Sequence, residues 1–414
     1  MYSEITQCRI CGNTNLIPLI ELGTMAYTGI FPQNKNQKVP TGPLSLVKCE
    51  EDATGKHCGL VQLKHNFELE ELYGDNYGYR SGLNPSMVKH LGNIVRSILG
   101  LVTLSDGDLV IDIGSNDSTL LQQYPEGSCT LVGIDPTGIK FRDYYPPHID
   151  LIPEFFPSDL FASKYGNEKA KIITSIAMFY DLTDPLSFAE SIYDHLDDNG
   201  IWAFEQSYMP TMLQMTSYDT ICHEHLEYYA LKQIKYITDK TGFHICDVQF
   251  NDTNGGSFFV IASKRSSSYK ENIKIISDIL QKEAELQLST TKPFKAFEER
   301  IFRHKTDVMD FFNDANNNTI FGYGASTKGN VILQYCGISS AHIPCIAEVN
   351  EYKFNRITPG SCIPIISESE AKSRKPDYLF VLPWHFRENI LQKEQDYLKQ
   401  GGRFVFPLPK LEVI

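Results

Sequence analysis

The sequence predicts an α/β protein built in three parts. Three observations carry this. From about residue 108 to 207, apolar strand-like segments alternate with helical stretches, the signature of a parallel sheet with helices on both faces. A second, smaller unit of the same kind, with its own glycine turn, begins near residue 319. Ahead of both, four of the ten cysteines fall within the first 58 residues.

The bulk composition sets the limits. At 414 residues, 42% hydrophobic and 12% aromatic, the chain can fill the cores of two or three domains and is not disordered. Its formal charge of −13 repels phosphate backbones, so nucleic acid is not an expected partner. No stretch approaches the roughly 18–20 apolar residues that span a bilayer. The opening MYSEITQCRICG has no basic segment followed by an apolar run. The expectation is a cytoplasmic protein without membrane partners, a monomer or a small homo-oligomer.

Residues 1–70 are rich in Gly, Pro and Asn, and only GLVQLKHNF after Cys58 alternates like a strand. Residues 71–265 hold the first α/β unit. Its helix over 85–101 has Met87, Leu91, Ile94, Val95 and Ile98 on one side. Strands follow in DLVIDIG, TLVGIDP, KIITSIAMFYDL and GIWAFEQSY. Residues 266–318 carry apolar side chains at three- and four-residue spacing and read as a helical connection. Residues 319–414 form the second unit.

Five constellations carry chemistry. Cys8 and Cys11 form a Cys-x-x-Cys knuckle, and Cys49 and Cys58 complete an all-thiolate zinc site, with His57 able to replace one of them. A closed four-ligand site of this kind is structural, and it would stabilise a region with little core of its own. Second, Asp112 ends a strand in DLVIDIGSND, Gly114 permits a tight turn, and Asn116 and Asp117 open the next element. Asp135 ends the following strand, placed to bind both hydroxyls of a ribose. The turn lacks G-x-G-x-x-G, which disfavours a dinucleotide and suits S-adenosylmethionine (SAM), which has a ribose and a cationic centre but no phosphate.

Third, DTICHEHLEYYAL gathers Glu224 and His225 with His223, Tyr228 and Tyr229; imidazole suits a general base, and a surface helix start would account for the cluster equally well. Fourth, Tyr77, Tyr79, Arg80 and Ser81 lie in a glycine-rich loop whose tyrosines suit a sugar, although a packed linker has the same composition. Fifth, GYGASTKGN places Ser326 and Lys328 at a helix start, an anion seat that fits a diphosphate. Glu348 closes the next strand, which keeps NAD binding open.

With these residues in hand, the chain resembles the sugar C-methyltransferases of deoxysugar pathways along essentially its whole length. The resemblance rests on CRICG with Cys49 and Cys58, YGYRSG, DIGSNDSTLL, EHLEYY, NGGSFF, GYGASTKGN, TPGSCIPI and LPWHFRENIL. It implies an N-terminal zinc-binding domain, a central class I SAM methyltransferase domain of Rossmann-like fold, and a smaller Rossmann-like C-terminal domain that helps hold a nucleotide sugar. It implies SAM as cofactor, S-adenosylhomocysteine as product and a structural Zn2+. Carried over, His225 is the base or its partner, and Glu224 and Tyr79 line the sugar. Asp112, Gly114, Asn116, Asp117 and Asp135 contact SAM. Tyr77, Ser81, Tyr228, Asn254, Gly255, Ser326, Lys328 and His385 serve the substrate. The implied reaction removes a proton next to a ketone, and the enolate carbon takes the methyl group, with Tyr79 or another hydroxyl on the enolate oxygen. Methylation of oxygen or nitrogen, an NAD-dependent oxidoreductase and a non-catalytic zinc scaffold are the alternatives. The family often has Gly where this chain has Ser118, which predicts an altered helix start. The Cys49–Cys58 gap is longer than the Cys-x-x-Cys common there.

Overall fold

A computed structural model describes residues 2–414 apart from 53, 74–77, 128 and 316, and apart from the side chains of 69 and 70. Tyr77 therefore lies outside the described residues.

The N-terminal part comprises β1 (Tyr2–Glu4), β2 (Leu16–Ala26), β3 (Thr41–Cys49), β4 (Val61–Leu63), β5 (His65–Phe67) and a short α1 (Leu69–Leu72). β1 and β5 pair on their own. The main sheet of this part has the order β11-β4-β3-β2, and its outer strand β11 (Glu227–Tyr228) comes from far along the chain. Val61 pairs with Tyr228 and Gln62 with Glu227. The segment expected to carry the chemistry thus completes the sheet of the cysteine-bearing part.

The central unit runs through α2 (Pro85–Leu99), β6 (Leu109–Ile113), β7 (Thr130–Ile134), β8 (Ile149–Ile152), α3 (Asp159–Tyr165), β9 (Ala170–Ile176), α4 (Pro185–His195), β10 (Leu196–Ser207), α5 (Met209–Gln214), α6 (Leu231–Lys240), β12 (Phe243–Asn251) and β13 (Ser257–Lys264). Its seven strands lie in the order β12-β13-β10-β9-β6-β7-β8, and β13 runs against its neighbours. Every residue of β6 is buried, because helices cover both faces of a parallel sheet. α2 starts on Asn84, whose side chain accepts the Ser86 N–H, with Pro85 in the first turn. It buries Met87, Leu91, Ile94, Val95 and Ile98, the stripe its periodicity predicts. Each such side chain contributes about 1.5–3 kcal/mol by leaving water, and Ile98→Ala would cost roughly 2–5 kcal/mol.

Two helices follow, α7 (Ile273–Glu285) and α8 (Lys292–Asp314), and α8 buries Phe294, Phe297, Ile301, His304, Val308 and Phe312 at three- and four-residue spacing. The last unit holds β14 (Ile320–Tyr323), α9 (Thr327–Cys336), β15 (Ile346–Glu348), β16 (Ile365–Ser367), β17 (Tyr378–Val381), β18 (Arg403–Phe406) and β19 (Glu412–Val413). Its sheet order is β16-β15-β14-β17-β18-β19, parallel except for β19. The polar face of α9 is tied to the end of β2 by Gln334, whose amide exchanges hydrogen bonds with the Ala26 N–H (2.8 Å) and carbonyl (3.1 Å). Among the described residues no helix is long and apolar enough to cross a membrane.

Candidate functional site

The four N-terminal sulfurs converge, with all ligand atoms within 4.8 Å of one another. Cys8 and Cys58 stand 3.5 Å apart, as do Cys11 and Cys49. Zinc–sulfur bonds of about 2.3 Å in a tetrahedron require sulfurs roughly 3.8 Å apart, so this set fits Zn2+. The fourth ligand is Cys58. His57 is not part of the cluster, because its ring turns to Asp52 at 3.3 Å on the partly exposed loop. The long Cys49–Cys58 gap is that loop, and β3 and β4 bring its ends together.

The glycine turn after β6 holds Gly114 at φ 73°, Asn116 at 51° and Ser118 at 61°. The third value is one that glycine adopts without strain. Here Ser118 holds the left-handed conformation, and its hydroxyl donates to the Tyr144 carbonyl at 3.1 Å. At Asn116 and Asp117, two of the expected cofactor contacts, the side chains bond the neighbouring loop. The Asn116 amide accepts from Ser81 N (3.0 Å) and donates to the Tyr79 carbonyl (3.1 Å), and Asp117 accepts from Gly82 N (2.9 Å). These side chains hold residues 79–82 as a strap across the turn. Asn116 adopts left-handed backbone there, and Asp117 also accepts the Thr119 hydroxyl at 2.5 Å.

Asp135 is also more committed than its position implies. One oxygen accepts both the Thr137 N–H and hydroxyl, each at 2.6 Å, and the other accepts Asn116 N at 2.8 Å. A ribose would share these oxygens with the donors already present. Asp112 accepts the Thr174 hydroxyl at 2.6 Å, and burial, aided by the Asp135 charge, pushes its pKa up to about 7. Three carboxyls around this turn suit a cationic ligand without phosphate, which is the chemistry of SAM.

Residues 217–230 form the centre of the molecule. The two histidines of HEH have different tasks. His223 Nε2 lies 3.2 Å from the Gly42 carbonyl, and its ring packs against Tyr27 and Phe67 at 4.6 and 4.9 Å. Burial lowers its pKa to about 4. It docks the segment on the N-terminal part. His225 Nδ1 meets the Thr220 carbonyl at 2.9 Å. A carbonyl only accepts, so Nδ1 carries the proton and Nε2 the lone pair. Burial, then the Lys328 charge, lowers its pKa to about 3, so the ring is neutral at pH 7. The Tyr180 ring stands edge-on against it at 4.4 Å.

All three parts meet around Glu224. The Thr28 hydroxyl, from the N-terminal part, donates to Glu224 at 3.3 Å. The Asn330 amide of α9 donates to the Thr28 carbonyl at 2.8 Å. Lys328, expected at an outer anion seat, sends its ammonium to the Asn254 carbonyl (2.9 Å) and faces the charge of Asp219. The Ser326 hydroxyl oxygen accepts the Gly329 N–H at 3.0 Å, capping α9, and its O–H remains available to donate. Asn254, at φ 56°, contributes that carbonyl, and Gly255 packs under Trp384, where a Cβ would meet the indole at 3.4 Å. The Trp384 indole donates to Asp219 at 2.8 Å. Beside it the buried His385 Nδ1 has no partner among the described residues, and burial with the Lys328 charge keeps that ring neutral. Tyr228 has a buried hydroxyl without a partner among the described residues.

Tyr79 is 47% exposed as a residue, burial pushes its hydroxyl pKa up, and its carbonyl is tied to the cofactor turn. Ser81 contributes a backbone N–H to the same strap. Glu348 closes β15 as expected, but it accepts Ala325 N (2.7 Å), Val349 N (2.7 Å) and Asn350 N (2.9 Å), which leaves little for a dinucleotide ribose. Sequence reasoning passed over Thr28, Asp219, Trp384 and Gln206. Gln206 lies one residue before the end of β10, and among the described residues its buried amide has no partner on either atom. Its place at a strand's carboxyl end was the available signal. The others have no local signal.

Comparison with known proteins agrees with this geometry. The zinc binding domain family of methyltransferases matches residues 8–73, a methyltransferase domain family matches 92–248, and the C-methyltransferase C-terminal domain family matches 252–409. The C-methyltransferase NovU from Streptomyces niveus is 27% identical over 417 residues, spanning 99% of this chain and 97% of that protein. Solved structures similar to part of the chain include the N-methyltransferase NodS from Bradyrhizobium japonicum WM9 with S-adenosyl-L-homocysteine, at 15% identity, 48% of this chain, 96% of that chain and a TM-score of 0.35. LepI with SAM is similar at 14% identity, 48% of this chain, 51% of that chain and a TM-score of 0.35. The chain thus carries a zinc-binding domain, a methyltransferase domain and a C-methyltransferase C-terminal domain in that order, and it is a SAM-dependent methyltransferase.

Proposed function

We propose that the acceptor is a carbon next to the ketone of a nucleotide-linked deoxysugar, and that the product is a branched-chain sugar. One observation supports this most. His225 is a part-buried, neutral imidazole with Nδ1 fixed by the Thr220 carbonyl, at the junction of all three parts. An oxygen or nitrogen acceptor needs less help, whereas a C–H bond must first lose its proton to a positioned base. SAM supplies an electrophilic methyl group on a cationic sulfonium.

His225 Nε2 takes the proton next to the ketone, and the negative charge moves to the ketone oxygen. The ammonium of Lys328 and the unpartnered hydroxyl of Tyr228 are the donors available to hold that oxygen. Glu224, Gln206 and His385 line the sugar. The nucleotide, a dTDP, GDP or CDP group, extends toward the C-terminal unit.

The test is incubation with SAM and a panel of nucleotide-linked 4-keto-6-deoxy sugars in deuterated water. Gain of one methyl with deuterium next to the ketone is expected, and no methyl gain across the panel despite SAM binding overturns this acceptor class. His225→Ala should lower turnover about 10²–10⁴-fold with SAM affinity unchanged. Unchanged turnover removes His225 from the reaction.

A further inference from the structure

The residue after His225 is held on both sides of its backbone. The Leu226 N–H donates to the Tyr180 carbonyl of the central unit at 2.8 Å, and the Leu226 carbonyl accepts the Leu63 N–H of β4 at 2.8 Å. β4 is gripped in turn by Arg9, which sits between the zinc ligands Cys8 and Cys11 with its side chain buried. A guanidinium presents five N–H donors in one plane, and here each has an acceptor. Nη1 donates to the Leu63 carbonyl (2.7 Å) and to the Gln62 amide oxygen (3.2 Å). Nη2 donates to the His65 carbonyl (3.0 Å) and to the Asn66 amide oxygen (2.6 Å), which Nε shares at 3.2 Å. The Arg9 backbone N–H adds a bond to the Gln62 amide oxygen at 3.1 Å. Gln62 is the residue that pairs with Glu227 in β11. The Glu227 carboxyl stands 3.7 Å from Arg9 Nε, and burial, opposed by Arg9, holds its pKa well above the usual carboxylate range. The tie is therefore a set of hydrogen bonds to neutral acceptors. As a zinc ligand Cys8 is a thiolate, and its charge helps to keep the guanidinium in place.

We propose that Arg9 is a positioning residue for the base: it locks β4, so that the Leu63–Leu226 hydrogen bond fixes where His225 presents Nε2. The proposal rests on His225 being the base. Arg9 acts through Leu63 and Leu226, not on substrate or cofactor. Its plane of donors reaches acceptors on β4, on β5 and on two side chains at once. Lysine offers three donors from a single point on a flexible stem and cannot fill them together. The zinc knuckle and the catalytic segment are thereby joined into one piece.

Arg9→Lys keeps the charge and both flanking zinc ligands. Gln62→Met withdraws the oxygen shared by the Arg9 N–H and Nη1, and it carries the test if Arg9→Lys does not fold. Zinc content and SAM affinity report the fold, and kcat is counted per SAM-binding site. Turnover is read on the 4-keto-6-deoxy sugar that the wild type methylates. The ring nitrogens of His225 are read by NMR with isotope-labelled histidine, and their signals are assigned by their loss in His225→Gln. With zinc and SAM affinity unchanged, kcat should fall by up to ~10²-fold while the sugar KM stays within about twofold, as for a base misplaced by about 1 Å. The His225 nitrogen signals should shift or average, because the ring is no longer held in one place as the Nδ1–H form. Wild-type kcat per site with unchanged His225 signals in both variants overturns the positioning role alone, as does a raised sugar KM at constant kcat. Altered His225 signals with wild-type kcat overturn it together with the base assigned to His225.

Discussion

Gly29→Ala separates the working geometry of the site from its stability. A Cβ at position 29 would lie 2.4 Å from Glu224 Oε1, and ordinary contact begins near 3.4 Å, so the carboxylate must retreat by about 1 Å. Gly29 is not among the glycines with positive φ, so alanine adds no backbone strain. The retreat breaks the 3.3 Å hydrogen bond from Thr28, a loss of about 1–2 kcal/mol. The stiffer unfolded chain returns roughly 0.4–1 kcal/mol. The net effect is about 0–2 kcal/mol, a shift of a few degrees in Tm. A 1 Å misplacement at a reacting centre can cost ~10²-fold in rate, so kcat/KM should fall by up to that factor. Steady-state kinetics and thermal unfolding on the same preparation decide it. An unchanged kcat/KM would remove Glu224 from the sugar pocket, and a Tm loss above about 10 °C would mean that the Thr28–Glu224 contact is mainly structural.

Cys58→Ser should lose stoichiometric zinc in metal analysis and release β11 from hydrogen-exchange protection, because its sheet partner β4 belongs to the zinc-held part; retained zinc with native protection would refute the ligand set. His223 binds its proton more weakly folded than unfolded, with its pKa lowered to about 4, so stability falls as pH drops from about 6.5 toward 4. Denaturant melts at pH 7 and pH 5 should show His223→Gln losing about 2 kcal/mol less than wild type over that interval, and equal losses would contradict the burial argument. Ser118→Gly removes about 1 kcal/mol of left-handed strain while losing a hydrogen bond of similar size, so Tm should hardly move. Ser118→Ala keeps the strain and loses the bond, and should cost roughly 1 kcal/mol.

Legibility divides by distance along the chain. The α2 stripe, the strands of the central sheet and the four cysteines are written in local spacing, because a helix repeats every 3.6 residues and a knuckle needs its ligands close in sequence. The sequence by itself determined the two Rossmann-like units, the zinc ligands and the acidic glycine turn. The resemblance singled out His225 within HEH, and the spacing alone did not separate the two histidines. The tertiary structure gives them different surroundings, by packing His223 against Tyr27 and Phe67 and by pinning His225 to Thr220. It also turned Asn116 and Asp117 onto the 79–82 strap and drew Lys328 inward to Asn254. The pairing of β11 with β4, and of Thr28 with Glu224 across 196 residues, leaves no periodic trace in the chain. Such contacts form because burial selects partners by shape and by unsatisfied polar groups, and neither is a property of a short window of sequence.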